Sequence, residues 1–287
     1  MSGRTGRGRA ARLAPQLGDV PSVKLIGLGG VGGIAARYLV GFLAAASDPV
    51  RVLLIDGDEF EPRNAERMLF SSCGNKASVV RDDLLEFVEG GSLTLAAVEE
   101  YVSAGNLQRL IVEGDVVLLC VDNHATRKLV SDHCRGLRNV CLISGGNDGV
   151  GEDGAGRTQR GSFGNVQVHR RREGVDETPP IDAFHPEIES PRDSLPDDVS
   201  CSEAVLSVPQ LLFTNLATAS ALLNAFFLHA CRELRYPELC FDIAEGLMRP
   251  VPLPWRVPDP PPAARAEDPP PPSIRPRPTS PASGELG

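Results

Sequence analysis

The chain has 287 residues, of which 41% are hydrophobic, and this is enough for one large α/β domain or two small ones. Its formal net charge of −9 argues against a general nucleic-acid-binding protein, which would usually be basic. No two of the seven cysteines are spaced as Cys-x-x-Cys, which argues against a cysteine-rich zinc site.

The first elements predict a βαβ unit. After a basic segment, residues 1–19, that predicts a flexible arm, residues 23–27 form a short apolar run that leads into a glycine-rich turn. Residues 34–46, rich in Ala and Leu, predict a helix, and the continuous apolar run 50–55 predicts a strand buried on both faces. A strand, a helix and a second strand in this order imply a parallel pair.

The same alternation continues to residue 144. Helices are predicted over residues 76–88, 107–113 and 125–137, and strands over residues 93–97, 116–121 and 140–144. The first half therefore predicts a doubly wound, mostly parallel, Rossmann-like sheet of the α/β class.

The second half predicts a less regular structure. Residues 145–161, rich in Gly and Asp, predict a loop, and residues 165–170 alternate like a strand in a less buried position. A long polar connection follows over residues 173–200. An apolar helix is then predicted over 209–232, and a short strand over 239–242.

Two further segments have unusual compositions. Residues 204–231 contain no Lys, Arg, Asp or Glu and are long enough to cross a bilayer, but their several polar side chains favour a core or interface helix. Residues 254–287 are rich in proline and predict a disordered tail. The predicted domain with the chemistry thus spans residues 20–253.

The first chemical signal is a glycine-rich turn between a strand and a helix. Gly27, Gly29 and Gly32 have the spacing that allows a tight turn and close approach of a phosphate to a helix N-terminus. Asp56 follows the next strand, 24 residues beyond Gly32, where a carboxylate can bind ribose hydroxyls. NAD and ATP both remain open, and so does a turn that serves only packing.

The second signal favours a polyphosphate. The stretch after the second strand contains Asp58, Asn64 and Arg67, and Lys76 begins the next predicted helix. In a doubly wound fold this is the ligand side of the sheet. Arg67 and Lys76 would place two cations beside a polyphosphate, although each taken alone could lie on a solvated face.

The third signal follows the strand 116–121. Asp122 comes where that strand ends and a helix begins, and one carboxylate together with phosphate oxygens and waters is a usual Mg²⁺ site. An Asp or Asn at this position can also be only a helix cap. Asp122 as metal ligand and Asn123 as cap are compatible roles.

Taken together, these motifs resemble the ThiF/MoeB family of ubiquitin-activating-like enzymes over about residues 22–245. Among its members the chain is similar to zinc-free bacterial ThiF-like proteins of PRTRC gene clusters. The resemblance is carried by Gly27-x-Gly29-Gly30-Val31-Gly32, Asp56-x-Asp58, Asn64-x-x-Arg67, Gly74-x-Lys76-Ala77 and Asp122-Asn-x-x-x-Arg127.

The resemblance implies ATP and Mg²⁺ as cofactors and an acyl-adenylate as the product. The glycine loop, Gly30 included, would hold phosphates, Asp56 and Asp58 would lie at the nucleotide, and Asp122 would hold Mg²⁺. Asn64 and Arg67 would contact phosphates, and Lys76 the α-phosphate under attack. The reaction needs charge neutralisation at phosphorus more than proton transfer, so cations and a metal suit it.

The chain departs from the family pattern at several points. Met68 stands where the family usually has Gln, the gap from Arg67 to Lys76 is short, and the two Cys-x-x-Cys pairs of many relatives are missing. The family often has a Cys-x-Glu-Ala-like stretch where this chain has Cys201, and some members carry a catalytic cysteine in this region. Cys201 is therefore a candidate for thioester formation, with Cys73 a weaker second.

The expected partner is a ubiquitin-like or sulfur-carrier protein, and a peptide or a tRNA-linked carboxylate remains open as the substrate within the same class. A downstream conjugating or sulfur-transfer protein is a further candidate partner. A homodimer, the cytoplasm, and no contact with nucleic acid or membrane are also expected. The alternative from another class is a non-catalytic NAD- or nucleotide-binding module that senses or scaffolds. Lys76 and Asp122 separate the two hypotheses, because adenylation needs both and an NAD module needs neither.

Overall fold

A computed structural model of the chain describes residues 13–20, 22–62, 64, 68–152, 158–196 and 210–251. The chain divides into two units, Met1–Trp255 and Arg256–Gly287, and all the described residues belong to the first. Two predicted site residues, Arg67 and Cys201, lie outside the described residues, as do residues 1–12 and the predicted tail 254–287.

Five parallel strands form the first part of the central sheet, in the order β5-β2-β1-β6-β7. Two short strands pair with each other beside it. The strands are β1 (Ser22–Ile26), β2 (Val50–Ile55), β3 (Glu59–Phe60), β4 (Gly74–Asn75), β5 (Leu93–Val98), β6 (Val116–Leu119) and β7 (Val140–Asn147). The chain winds outward from β1 to β5 and then returns to β6 on the other side of β1. This switch point, between β1 and β6, is where doubly wound folds bind ligands.

Helices cover both faces of the parallel strands, which explains why the sequences of these strands are mostly apolar. Helices α1, α2 and α6 pack on one face, and α3 and α4 on the other. The helices are α1 (Gly30–Ala44), α2 (Lys76–Leu84), α3 (Leu107–Leu110), α4 (His124–Gly136), α5 (Pro186–Glu189) and α6 (Leu212–Ala230). The predicted doubly wound α/β class is confirmed.

The second half extends the sheet with antiparallel strands, in the order β7-β10-β12-β13, with β11 paired to β10. A separate hairpin is formed by β8 and β9. The strands are β8 (Val150–Glu152), β9 (Thr158–Arg160), β10 (Phe163–Arg172), β11 (Val175–Asp176), β12 (Glu238–Asp242) and β13 (Leu247–Val251).

Two predictions for this half were wrong. The predicted loop 145–161 begins as the end of β7, because Gly145 lies against α6: a Cβ atom there would be 2.9 Å from Leu222. Gly145 therefore serves close packing in a strand and does not mark a loop. The strand around residues 165–170 is not less buried, because β10 is paired on both sides and its Val166 and Val168 are buried.

The long helix α6 is a core helix in the structure, as predicted. By length and composition it could also cross a membrane. It packs against α1, β7 and β10, and Phe226 is among its buried residues. The rings of Phe42 on α1 and Phe227 meet edge to face, with centroids 6.0 Å apart.

Helix α1 begins four residues earlier than predicted, at Gly30, since glycines give a weak helix signal.

Candidate functional site

Two glycines of the turn after β1 are required by the backbone around them. Gly27 has φ of +85°, and a Cβ atom on it would lie 2.9 Å from the backbone of Cys120 and Val121, which follow β6. A Cβ atom on Gly32 would lie 1.8 Å from the carbonyl oxygen of Gly27. These glycines bring β1, the end of β6 and α1 into contact at the switch point.

The middle glycines lie at the open N-terminus of α1. Gly29 precedes the helix without a side-chain cap. Among the described residues, the atom nearest to a Cβ on it would be the Met68 methyl carbon, 3.9 Å away. Gly30 is the first residue of the helix and lies against Asn215 of α6. No acidic residue occupies the first turn, so its N–H groups and its positive dipole end are suited to an anion.

Asp56 ties this turn to the end of β2. Its carboxylate accepts hydrogen bonds from the backbone N–H of Leu28 at 2.5 Å and of Asp58 at 2.8 Å. The side chain is buried, and this burial raises the pKa of Asp56. Carboxylate oxygens have further lone pairs beyond these two bonds, so Asp56 can still accept from ribose hydroxyls.

Lys76 is a cation that the fold brings to the carboxyl ends of the strands. Its Nζ lies 2.7 Å from the Asp58 carboxylate, which also accepts a hydrogen bond from the Tyr101 hydroxyl. Burial acts to raise the pKa of Asp58, but Lys76 and the hydrogen bonds from Lys76 and Tyr101 together hold it below its ordinary value. Lys76 is thus held in place by a carboxylate that is itself half exposed.

Asn75 and Tyr101 complete this corner and were missed from the sequence. Asn75 caps α2, accepting from the N–H groups of Ala77 and Ser78, and its amide donates to the backbone oxygens of Asp56 and Asp58. Its position just before a predicted helix could have indicated the cap. The Tyr101 ring lies on Gly57, where a Cβ would be 2.6 Å from it. An aromatic residue shortly after the predicted strand 93–97 was the available signal.

The end of β6 presents an exposed carboxylate. Asp122 is exposed, and the next residue, Asn123, caps α4 by accepting from the Thr126 N–H at 3.3 Å, as predicted for a cap. A second carboxylate, Asp193, accepts from the N–H groups of His124 and Ala125 at 2.7 and 2.8 Å. Asp193 lies about 70 residues from His124 along the chain, so no local motif in the sequence could indicate it.

A buried arginine fixes the neighbouring strand ends. The Arg127 guanidinium donates to the Val121 carbonyl at 2.7 Å, the Gly145 carbonyl at 2.9 Å and the Ser144 hydroxyl at 2.7 Å. Burial lowers the pKa of Arg127. Its bonds join the ends of β6 and β7, so we expect its role to be the positioning of Asp122 and the strand ends around it.

The residues present fit a Mg²⁺–nucleotide pair. Among the described residues no group of three His, Cys, Asp or Glu side chains could hold a metal ion alone. Mg²⁺ in nucleotide sites needs only one or two carboxylates, with phosphates and waters supplying the other ligands, and the exposed Asp122 can supply one. The side chain of Asn64, which was predicted to contact phosphates, accepts a hydrogen bond from the Glu61 N–H at 2.8 Å and so closes a turn.

The model of the ThiF family matches residues 15–187 of the chain. The adenylyltransferase and sulfurtransferase MOCS3 of Drosophila persimilis is 38% identical over 128 residues, which are 43% of this chain and 27% of that protein. MOCS3 of Drosophila yakuba is 40% identical over 128 residues, 43% of this chain and 26% of that protein. The chain thus spans about a quarter of the length of these curated relatives.

Solved structures share the fold. E. coli MccB with AMPCPP and MccA superposes with a TM-score of 0.58 at 15% identity, covering 83% of this chain and 64% of that one. PaaA superposes with a TM-score of 0.53 at 15% identity, covering 83% of this chain and 65% of that one. Since the family model covers more than half of the residues, and its motifs meet at the switch point of the sheet, the chain belongs to the ThiF family.

Proposed function

We propose that the chain adenylates the C-terminal carboxylate of a ubiquitin-like or sulfur-carrier protein, using ATP. One observation carries the proposal: the open N-terminus of α1, Lys76 and Asp122 all lie at the carboxyl ends of the parallel strands, near the switch point. An NAD module would need only the glycine turn and Asp56. The relatives named as adenylyltransferases support the same reaction.

The proposed reaction exchanges one P–O bond for another at the α-phosphorus of ATP. A carboxylate oxygen of the carrier attacks the α-phosphorus of ATP, the bond from that phosphorus to the bridging oxygen breaks, and pyrophosphate leaves with the electron pair. Lys76 would neutralise charge on the α-phosphate, and α1 would hold phosphate oxygens. Mg²⁺, held through Asp122, would supply further charge neutralisation when bound. Asp56 would orient the ribose, and Asn64 and Arg67 would contact phosphates.

Binding is the first test. Calorimetry should compare Mg·ATP with NAD on the wild-type protein and on Lys76→Ala and Asp122→Ala. We expect Mg·ATP to bind, NAD not to bind, and both substitutions to weaken ATP binding, since each removes a charge at the polyphosphate. Binding of NAD without ATP would instead favour the non-catalytic module. Carriers ending in Gly-Gly should then be screened for pyrophosphate release.

We further propose that the acyl group can pass to a cysteine before it reaches a downstream conjugating or sulfur-transfer protein. The Cys201 thiolate would attack the acyl carbon, forming a thioester as AMP leaves. A carrier adduct that thiols cleave, and that Cys201→Ala abolishes while Cys73→Ala keeps, would support this step. An adduct that survives Cys201→Ala would contradict it.

A homodimer is proposed from the apolar surface of the two longest helices. Their exposed side chains include Tyr38 and Phe42 on α1 and Leu212, Phe213 and Leu216 on α6. Large exposed apolar patches usually mark interaction sites. Phe213→Glu should convert a dimer to a monomer in light scattering, whereas Phe87→Glu, at an exposed phenylalanine of the turn after α2, should not. The cytoplasm is proposed as the compartment, since the six described cysteines are free thiols.

A further inference from the structure

A pair of amides joins α6 to the turn around Gly30. The Asn147 Nδ2, at the end of β7, donates to the Oδ1 of Asn215 at 2.9 Å. Asn215 lies in the first turn of α6 and is only 1% exposed. One end of its amide is therefore fixed by a strand that ends at the switch-point edge of the sheet.

The other end of that amide has no acceptor among the described residues. The Asn215 Nδ2 is buried and unbonded. It is directed at the first residue of α1, because a Cβ atom on Gly30 would lie 2.2 Å from it. Buried polar groups are nearly always hydrogen-bonded, so an orphaned donor in this place needs an explanation. An apolar side chain could fill the same space without burying an unbonded donor.

The position of Asn215 is set by its neighbours. The Thr214 hydroxyl donates to the Gly161 carbonyl at 2.6 Å, which pins the start of α6 to the turn before β10. One and two turns further along α6, Thr218 and Leu222 lie close against Gly145 of β7. Both threonines are fully buried. These contacts fix the position of α6 on the sheet, and this position keeps the Asn215 amide beside α1.

We propose that Asn215 donates a hydrogen bond to a phosphate oxygen of the nucleotide bound at the N-terminus of α1. Two independent observations meet there: a 15-residue helix with an uncapped N-terminus, and a buried, unbonded donor aimed at its first residue. Asn147 acts as a positioning residue, because its bond to Oδ1 turns Nδ2 toward Gly30. The inference rests on the proposed function, since it adds a residue to the same nucleotide site.

The test compares phosphate-dependent with phosphate-independent binding. Affinities for ATP, inorganic pyrophosphate and adenosine are measured by calorimetry on wild type, Asn215→Asp and Thr218→Val. Asn215→Asp keeps the shape but replaces the donor by an acceptor, and should weaken ATP and pyrophosphate binding at least about tenfold. Adenosine binding should change less than about twofold, because adenosine has no phosphate. Thr218→Val, one turn along the same buried face, should change none of the three.

Equal loss of ATP and adenosine affinity in Asn215→Asp, or no loss at all, would overturn the inference while leaving adenylation intact. If Asn215→Asp does not fold, Asn147→Ala replaces it and should weaken ATP but not adenosine by about threefold. No change there would also overturn it. Wild-type binding of ATP without carrier-dependent pyrophosphate release would defeat only the proposed function, and binding of neither ATP nor pyrophosphate would defeat both.

Discussion

The two ends of the parallel strands use charge differently. At the carboxyl ends, Asp122 is exposed and Lys76 is paired with an Asp58 side chain that is 49% exposed. Toward the amino ends, Lys24 and Asp115 form an ion pair at 3.6 Å with side chains at most 9% exposed. At the carboxyl ends, Asp122 and Asp58 thus stay accessible to a ligand, whereas the Lys24–Asp115 pair toward the amino ends is enclosed by the fold.

The amino ends also include a neutral histidine. His229 lies in the last turn of α6 and lines a cavity of about 510 Å³ together with Asp115 and Arg170. Burial lowers the pKa of His229 to about 4, and Arg170 and Arg172 contribute to this. If the contrast between the two ends is correct, changes at the carboxyl ends should affect catalysis, and changes at the amino ends should affect stability.

The largest effect is expected at the carboxyl ends. Lys76→Met should lower carrier-dependent pyrophosphate release about a hundred- to a thousandfold, since it removes one preorganised cation from the phosphate. The control is Lys128→Met, which removes the same charge from an ion pair with Asp132 on α4. Stopped assays of pyrophosphate would show it. Loss of activity in both variants would mean that overall charge, not position, matters.

Asp115→Asn should have the next largest effect, on stability. It leaves the Lys24 ammonium buried without its partner, so the free energy of unfolding should fall by about 3 kcal/mol. Urea denaturation would measure this change. ATP affinity should stay at the wild-type value under conditions where the variant is folded. A fall in ATP affinity without loss of stability would reverse the contrast between the two ends.

His229 should make the stability of the protein depend on pH. The unfolded chain binds a proton on this histidine near the ordinary pKa of 6.5, whereas the folded protein does so only near 4. The unfolded state therefore binds more protons between these values, and stability falls as pH falls through this window. From pH 7 to pH 5 wild type should lose about 1 kcal/mol more than His229→Gln, allowing for partial exposure. Equal losses in denaturation experiments would contradict this assignment.

Tyr101→Phe should have the smallest effect. It removes one hydrogen bond to the Asp58 carboxylate but keeps the ring on Gly57. Asp58 would then hold Lys76 less firmly, and the KM for ATP should rise about fivefold. Steady-state kinetics with ATP varied would measure it, and the melting temperature should stay within a few degrees. An unchanged KM would show that Lys76 does not depend on this contact.

Residues that directly follow a buried strand could be predicted from the sequence. Asp56 and Asp122 each end an apolar run, and Lys76 begins a helix, so local pattern places all three on one edge. Asp193 and Asn215 could not be found in this way. Their partners lie about 70 residues away along the chain, and only the packing of the connection and of α6 brings them together.

The fold shows the same division. The parallel half was predicted closely because its strands are mostly apolar and alternate with helices. In the antiparallel half, β10, α6 and β12 were predicted, but β8, β9, β11 and β13 were not. The end of β7 was also missed, since Gly145 and Gly146 have the composition of a loop. A Cβ atom on Gly146 would lie 2.7 Å from the Arg127 guanidinium, so this glycine too is set by a tertiary contact.

The glycines after β1 would respond differently to selection. Random substitution at Gly27 or Gly32 places a side chain into backbone, so such variants should disappear from a cell as misfolded chains. At Gly29 a Cβ atom would meet no described atom closer than 3.9 Å, so variants at this position should accumulate as abundant protein that lacks activity. A duplicated copy that drifts away from nucleotide use would therefore keep the outer two glycines and change the middle one first.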